Sequence, residues 1–272
     1  TTRRYLTINI TPLNVSAKFA LMMKESGAGF VFTSATLSVD NELTHFNASL
    51  GLKPKQSMMV DSPFDYENQA LLCLPRYLPE THADNMPHAI VKLTLELIKS
   101  AKGRCFVLFT SYRMMHLVAE GLTTQMDYPV YMQGQMSKRI ILEKFTRHGN
   151  AVLLGTASFW EGVDVRGSTL SCVIIDKLPF AAPDDPLLQA KMQDCQMQGK
   201  DPFAHIQLPQ AVIALKQGVG RLIRDNKDKG VLVICDNRLV TRQYGQVFLK
   251  SLPPMRRTRS LEDANTFLKH IN

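Results

Sequence analysis

The sequence QGVGRLIRD, which begins at Gln217, combines a glutamine, two glycines and two arginines. Gln217, Arg221 and Arg224 stand at positions i, i+4 and i+7, a spacing that places side chains on one face of a continuous helix. Guanidinium groups fit phosphate oxygens with a planar fork and can stabilise the charge that develops during phosphoryl transfer. Pairing of the arginines with Asp225 or Asp228 is the simpler alternative. The segment therefore predicts a phosphate-binding arginine pair, with Gln217 as an orienting donor.

A second segment, LLGTASFWEGVDVRGSTL, begins at Leu153 and ends at Leu170. It combines backbone donors, a threonine hydroxyl, two aromatic rings and two carboxylates, which is unusual for a plain connection. An aromatic side chain such as Trp160 can stack on a base, or it can fill the core, which is the commoner fate of a lone tryptophan. The segment predicts a loop that contacts a nucleotide or a nucleic acid.

A third segment, TSATL, begins at Thr33, directly after the apolar GFVF. Its hydroxyl residues include Ser34 and Thr36. Small hydroxyl side chains after a buried strand can contact phosphate or bridge neighbouring loops. An ordinary turn between a strand and a helix explains the same residues.

The charge of the chain favours a polyanionic partner. Lys and Arg number 32 against 24 Asp and Glu, which gives a net charge of +8 and a sequence pI of about 9.3. Nucleic acid is the commonest partner of such a balance, although a merely basic surface would look the same. The chain is 45% hydrophobic, and no apolar run approaches the roughly 20 residues that span a bilayer. These observations predict a globular protein that binds no membrane.

The five cysteines are scattered, and none of them falls within a C-x₂₋₄-C spacing. Neither a zinc site nor a disulfide framework is therefore expected, and a reducing cytoplasm follows. Cys105, Cys172 and Cys235 lie in apolar runs and are predicted to be core residues. His82 and His88 have an H-x₅-H spacing, but no closely spaced cysteine pair accompanies them, so we expect no metal site.

Short apolar runs separated by segments of helical period predict an α/β sandwich with a parallel sheet. The predicted strands are 29–36, 70–75, 104–111, 151–156, 171–178 and 230–236, and the predicted helices are 86–101, 112–124, 137–148, 186–198 and 208–224. Ser137 and Ser260 are candidate helix caps, the latter for a terminal helix. We place the three segments above at the carboxyl ends of strands, where function gathers in such sheets.

Together, these motifs resemble the later motifs of superfamily 2 helicases of the DinG/XPD family, and within it most closely the bacterial YoaA-like branch. TSATL is similar to motif III, FVLFTSYRMM (106–115) to motif IV, GTASFWEGVDVRG to motif V and QGVGRLIRD to motif VI. The segment DKLPFAAPDDP (176–186) also resembles the family's Leu-Pro-Phe segment. The resemblance spans about residues 30–240. The combination of motifs V and VI is specific, whereas no single motif would be.

The resemblance implies half of a two-domain motor. We find no G-x-x-x-x-G-K-[ST] loop, no D-E-x-H stretch and no counterpart of the family's four iron–sulfur cysteines. Residues 1–60 would be the end of RecA-like motor domain 1 and residues 61–272 motor domain 2, and the N-terminus begins abruptly, as a fragment would. ATP and Mg²⁺ would be bound jointly with domain 1, a 4Fe–4S cluster would belong to the full-length protein only, and the chain alone should be inactive.

By that resemblance, the site residues take four roles. Arg221 and Arg224 would reach the γ-phosphate, with Gln217 orienting them. The nucleotide side of the cleft would be lined by Glu161, Gly162, Asp164 and Gly220. Single-stranded DNA would be held by Ser111, Tyr112, Thr156, Phe159 and Trp160. Ser34 and Thr36 would couple nucleotide state to DNA contact, and translocation would run 5′→3′.

Two other functions remain open at this point. A non-catalytic basic α/β module that binds nucleic acid or a replication protein would need no role for the arginines in an ATPase. A stand-alone nucleotide-binding domain is disfavoured by the absent phosphate loop. The motor hypothesis predicts a monomer whose partners are single-stranded DNA and replication or repair proteins.

Overall fold

The computed structural model describes residues 10–160 and 169–272. The chain divides into two compact units. One unit combines residues 10–59 with Ala181–Gln210, and the other combines Val60–Phe180 with Ala211–Asn272. The second unit contains the sheet and is called the sheet unit below.

Within the described residues, seven parallel strands form the sheet, in the order β3-β4-β2-β5-β6-β1-β7. Their bounds are Ala70–Cys73 (β1), Cys105–Leu108 (β2), Val130–Met132 (β3), Val152–Gly155 (β4), Cys172–Ile175 (β5), Gly230–Ile234 (β6) and Arg256–Thr258 (β7). The predicted parallel α/β architecture is therefore confirmed, and five of the strands match predicted ones. The edge strands β3 and β7 were not predicted.

Four of the five helices predicted with bounds match the structure to within a residue or two, and the fifth, predicted at 208–224, ends five residues earlier, at Val219. Their bounds are Ser16–Ser26 (α1), Thr44–Leu50 (α2), Tyr66–Gln69 (α3), Met86–Ser100 (α4), Tyr112–Thr123 (α5), Lys138–His148 (α6), Ala157–Trp160 (α7), Pro186–Met197 (α8), Leu208–Val219 (α9), Arg238–Thr241 (α10), Gly245–Ser251 (α11) and Leu261–Ile271 (α12). A π-helical turn, Phe203–Gln207, precedes α9. None of the described helices is long and apolar enough to cross a membrane.

One face of the sheet carries the main apolar cluster, to which α4, α5 and α12 contribute. Side chains alternate along a strand, so neighbouring residues point to opposite faces. Val107 belongs to the cluster, whereas its neighbour Phe106 is fully buried outside it and packs edge-on against Phe159 of α7. Helices therefore cover both faces, which explains why the central strands are continuous apolar runs. The core cysteines were predicted correctly, since Cys105, Cys172 and Cys235 are all fully buried.

Side-chain caps fix the helices that begin at the ends of strands. The Ser111 hydroxyl accepts a hydrogen bond from the backbone N–H of Met114, and Ser260 accepts one from Asp263, as its spacing predicted. Ser137 occupies the cap position of α6 but makes no capping bond with its side chain. These caps set where α5 and α12 begin.

The predicted strand at 29–36 is not formed. Phe30, Val31 and Phe32 are exposed in a segment without regular secondary structure between α1 and α2. Among the described residues, this segment pairs with no other strand, and an isolated strand has no ladder to hold it. The rings of Phe19 and Phe46 instead lie about 6 Å from that of Phe32, at centroid distances of 6.2 and 5.8 Å.

Candidate nucleotide and nucleic-acid sites

The arginine segment does not form the helical stripe that its spacing predicted. Helix α9 ends at Val219, and the chain leaves it through turns in which the N–H groups of Arg221 and Leu222 donate to Gly218 and Val219. Arg221 and Arg224 therefore lie beyond the helix, ahead of β6. The prediction that this segment sits at a carboxyl end was also wrong, because it lies at the amino-terminal edge of the sheet. Of the three residues predicted to share a helical face, only Gln217 lies in the last turn of α9.

Two buried side chains fix the backbone of this turn. The Asp228 carboxylate oxygen Oδ2 accepts hydrogen bonds of 2.9 Å from the backbone N–H groups of both Arg224 and Asp225. The Gln69 amide nitrogen Nε2 donates to the carbonyl oxygens of Asp225 and Asp228, at 3.1 and 2.9 Å. Because both side chains are almost fully buried, the bonds are shielded from water and hold the turn against β1 and β6. We call residues 221–228 the arginine turn.

The surroundings of the arginine turn are half-buried. Arg221, Arg224 and Gln217 are all of intermediate exposure, and the Nε atom of Arg224 is buried. Burial also lowers the pKa of Lys216 in the last turn of α9. Gly220 is exposed, and a Cβ built there would come no closer than 3.3 Å to the Lys216 carbonyl oxygen. Guanidinium groups in such partly desolvated surroundings interact more strongly with phosphate than fully hydrated ones do.

A cluster of polar side chains occupies the opposite, carboxyl-terminal edge of the sheet. Its centre is Gln133, which directly follows β3. Gln133 Oε1 accepts from the Thr156 backbone N–H at 2.7 Å and from the Thr156 hydroxyl at 3.0 Å. Gln133 Nε2 donates to the Ser158 hydroxyl at 3.0 Å and to the Tyr112 hydroxyl at 2.5 Å. Gln133, Thr156, Ser158 and Tyr112 form what we call the hydroxyl cluster, and it joins the ends of three neighbouring strands.

The predicted DNA-binding residues fall into exposed and buried groups. Tyr112 is 55% exposed, and Ser111 precedes it with intermediate exposure. Thr156 is buried, and its hydroxyl proton is used by Gln133. Phe159 is 2% exposed, so its ring offers no open face for base stacking and instead packs inside the sheet unit.

Lys138 brings a positive charge to the hydroxyl cluster. Its ammonium group donates to the Ser158 carbonyl oxygen at 2.5 Å and lies 5.3 Å from the centre of the Phe159 ring. A cation over an aromatic face is attracted by the ring quadrupole. Phe159 therefore supports the position of Lys138 from within the core.

A buried carboxyl lies at the same edge, at the end of β5. Asp176 accepts hydrogen bonds from the backbone N–H groups of Thr110 and Lys177, at 3.0 and 2.7 Å, and from the Thr110 hydroxyl at 3.3 Å. Burial raises the pKa of Asp176 from its ordinary 3.8 to about 7, and Lys177 and the three hydrogen bonds oppose this only in part. Asp176 thus fixes the loop that leads to Ser111 and Tyr112.

Several predicted site residues carry little or no structural description. Glu161, Gly162 and Asp164 lie outside the described residues, and so does the side chain of Trp160. Ser34 and Thr36 lie in the other unit, where their hydroxyl oxygens are 3.3 Å apart and the Ser34 hydroxyl accepts the Thr36 backbone N–H at 3.2 Å.

The cysteines do not fit an iron–sulfur cluster. All five are buried as thiols. Burial raises the pKa of Cys73 to about 12 and that of Cys235 well above its usual value. A hydrogen bond with Cys105, together with burial, also raises the pKa of Cys172. Within the described ranges, no group of three His, Cys, Asp or Glu residues is placed to hold a metal ion.

Comparison with solved structures finds the same fold in a helicase. An XPD helicase structure aligns with 90% of this chain and 45% of its own, with a TM-score of 0.66 and 18% sequence identity. The chain belongs to the helicase C-terminal domain family, whose model matches residues 94–255, more than half of its length.

Its similarity to curated proteins extends over nearly the whole chain. It is 54% identical to the ATP-dependent DNA helicase YoaA of Escherichia coli over 267 residues, which are 98% of this chain and 42% of that protein. It is 35% identical to the ATP-dependent helicase DinG of Mycobacterium tuberculosis, over 97% of this chain and 40% of that protein. The chain therefore spans about two fifths of the length of these relatives.

Several residues of the two sites escaped the sequence analysis. Gln133, Asp228 and Gln69 act through side-chain contacts between distant parts of the chain, and Gln69 lies 159 positions from Asp228. No local signal in the sequence pointed to Gln133, because the strand that precedes it, β3, was not predicted either. Ser158 lies within the second segment of the sequence analysis. That segment did not show that the Ser158 side chain is exposed whereas that of Thr156 is buried.

Proposed function

We propose that this chain forms the C-terminal motor portion of an ATP-dependent DNA helicase that acts in the cytoplasm on single-stranded DNA, in repair or replication. The names of its curated relatives support the reaction class. The observation that carries the proposal is the arginine turn. Asp228 and Gln69 hold its backbone firmly, while the side chains of Arg221 and Arg224 remain half-exposed at one edge of the sheet.

The nucleotide site in this proposal combines the arginine turn with polypeptide outside this chain. Motor domain 1, of which residues 1–60 would be the last part, would supply the phosphate loop and the Mg²⁺ ligands. Arg221 and Arg224 would bind the γ-phosphate of ATP, with Gln217 orienting them and Gly220 allowing close approach. Glu161, Gly162 and Asp164 would line the same pocket. The chain alone would not hydrolyse ATP, and the 4Fe–4S cluster would be held elsewhere in the full-length protein.

The nucleic-acid site would lie at the opposite edge of the sheet, at the hydroxyl cluster. Ser111 and Tyr112 would contact the DNA backbone. The buried residues Thr156 and Phe159 would hold the site in position, and Trp160 would add an aromatic side chain. Ser34 and Thr36 would couple nucleotide state to DNA contact. Cycles of domain closure and opening would then move a monomer along the strand in the 5′→3′ direction, with replication or repair proteins as partners.

The decisive experiment is Arg221→Ala in the full-length polypeptide that contains this chain. Removal of an arginine that stabilises the transition state should lower DNA-stimulated ATP hydrolysis by roughly 10³-fold or more. Arg221→Lys should restore little of it, because lysine keeps the charge but lacks the fork.

Arg147→Ala provides a matched control. Arg147 is exposed in the last turn of α6, close to the same edge of the sheet but three strands away in the sheet order. This variant should hydrolyse ATP at the wild-type rate. If Arg221→Ala also stayed within a few-fold of wild type, the arginine would have no catalytic part, and a non-catalytic basic module would be the better description.

A further inference from the structure

The side-chain amide of Gln133 has a single consistent orientation. The backbone N–H of Thr156 can only donate, and it lies 2.7 Å from one end of the amide. That end must therefore be the carbonyl oxygen, because an NH₂ group there would place two donors face to face. The Thr156 hydroxyl, at 3.0 Å, donates to the same oxygen. The opposite end of the amide is then the NH₂ group.

This orientation fixes the donor polarity of two exposed hydroxyls. The two protons of Gln133 Nε2 point to the hydroxyl oxygens of Ser158 and Tyr112. Each of these oxygens acts as an acceptor toward Gln133, so its own proton is directed away from the amide. Both side chains face solvent. Because they bond to the same nitrogen, the two hydroxyls are close enough to donate to one small anion.

Lys138 and Ser111 extend the same pattern. The Lys138 ammonium group lies beside Ser158, where it donates to the Ser158 carbonyl oxygen, and the Phe159 ring supports it. The Ser111 hydroxyl accepts the Met114 backbone N–H and therefore also retains its proton for donation. Hydroxyl donors beside a positive charge suit an oxygen anion such as a phosphodiester.

We propose that Tyr112, Ser158 and Lys138 form a subsite for one backbone phosphate of single-stranded DNA, and that Gln133 is the positioning residue that turns both hydroxyl protons toward it. The inference rests on the proposed function and specifies its DNA site. Thr156 anchors Gln133 here rather than donating to the phosphate. Recognition through the backbone carries no base preference.

The variant Gln133→Glu tests whether the amide of residue 133 directs the two hydroxyl protons. It replaces the NH₂ donor with a carboxylate oxygen, which can only accept, and it hardly changes the shape of the side chain. The introduced carboxylate can still accept from Thr156, but it would also accept the protons of Tyr112 and Ser158 and turn them inward. Binding of a fluorescent oligo-dT by the full-length polypeptide should weaken about tenfold or more. Tyr112→Phe and Ser158→Ala should each weaken binding a few-fold, and Gln133→Glu should have a smaller effect when added to that pair.

A pH profile separates positioning from a general structural role. A protonated carboxyl has one O–H donor, so the affinity of Gln133→Glu should recover in part as the pH falls below the ordinary glutamate pKa of about 4.3. Lys138→Gln should lower the slope of log affinity against log salt by about 0.7, as expected for one lost phosphate contact with a single strand.

Gln125→Glu is the matched control. Gln125 lies just beyond the other end of α5 and donates to the Gly121 carbonyl oxygen, so this variant makes the same chemical change away from the hydroxyl cluster and should bind like wild type. An affinity of Gln133→Glu within twofold of wild type, or a loss that does not recover at lower pH, would overturn the subsite and leave the proposed function standing. Salt-independent binding by the wild type would overturn both.

Discussion

Replacement of Asp176 by asparagine should stabilise the protein at neutral pH and leave it almost unchanged in acid. Asp176 is 1% exposed at the end of β5, and burial raises its pKa from 3.8 to about 7. Between those two values the unfolded chain has released the proton, whereas the folded chain retains it. The free energy of unfolding therefore falls as the pH rises from about 4 to about 7, and the loss is complete above pH 7.

The size of this effect follows from the pKa. The interval from 3.8 to about 7 is about 3 pH units, and one unit corresponds to about 1.4 kcal/mol, so the ionised carboxylate costs about 4 kcal/mol. Asparagine is neutral at every pH and retains the hydrogen bonds. Its oxygen can accept the N–H groups of Thr110 and Lys177, and its NH₂ group can donate to the Thr110 hydroxyl.

The assay compares urea unfolding of wild type and Asp176→Asn at pH 4.5, 6 and 8. About 1 kcal/mol of the loss has already occurred at pH 4.5, so the difference in unfolding free energy should grow by about 3 kcal/mol between pH 4.5 and pH 8. The same substitution at Asp127, which is exposed, controls for the loss of one charge. A carboxyl ¹³C resonance that is absent from the Asp176→Asn spectrum should titrate near pH 7. A stability difference that stays constant within about 1 kcal/mol, or a resonance that titrates near pH 4, would refute the reasoning.

Three further substitutions probe the same unit. Asp228→Ala leaves two backbone N–H groups without their acceptor and should lower the unfolding free energy by about 2–4 kcal/mol in urea titrations; an unchanged midpoint would contradict this. Gly155→Ala places a Cβ 2.7 Å from the Phe159 side chain and should cost about 1–3 kcal/mol in thermal melts, unless Phe159 can shift freely. Gly220→Ala should change the unfolding free energy by at most about 1 kcal/mol, because the tight 3.3 Å contact of its Cβ with the Lys216 carbonyl oxygen is offset by the smaller freedom of alanine in the unfolded chain. A slower ATPase in that variant would support nucleotide contact at Gly220, and an unchanged rate would remove it from the site.

The central strands were predictable because each is buried on both faces and therefore appears as a continuous apolar run. The two missed strands lack that signal. Strand β3 has three partly exposed residues, and β7 begins with two exposed arginines. The false strand at 29–36 has the apolar content of a strand but pairs with no other described segment. Sequence composition reports burial tendency, whereas a strand also requires a neighbour with which to form hydrogen bonds.

The arginine segment shows a related limit of periodicity. Leu222 and Ile223 are buried, as the helical pattern required, yet the helix has already ended at Val219. Their burial is achieved by turns that pack against β6, where Leu222 lies against Gly230. The chemical types of Arg221 and Arg224 were visible in the sequence. Their location depends on the tertiary contacts of Asp228 and Gln69, which no local pattern contains.

The direction of the strands determines how the two edges of the sheet can communicate. All seven strands run in parallel, so the arginine turn lies where β6 begins and the hydroxyl cluster lies where β3 and β4 end. Strands of four or five residues separate those edges by about 13–17 Å. No side chain is long enough to reach from one edge to the other. A displacement at the arginine turn would therefore reach the hydroxyl cluster by moving the sheet as a rigid body, so that a tilt at one edge shifts the hydroxyls of Tyr112 and Ser158 at the other.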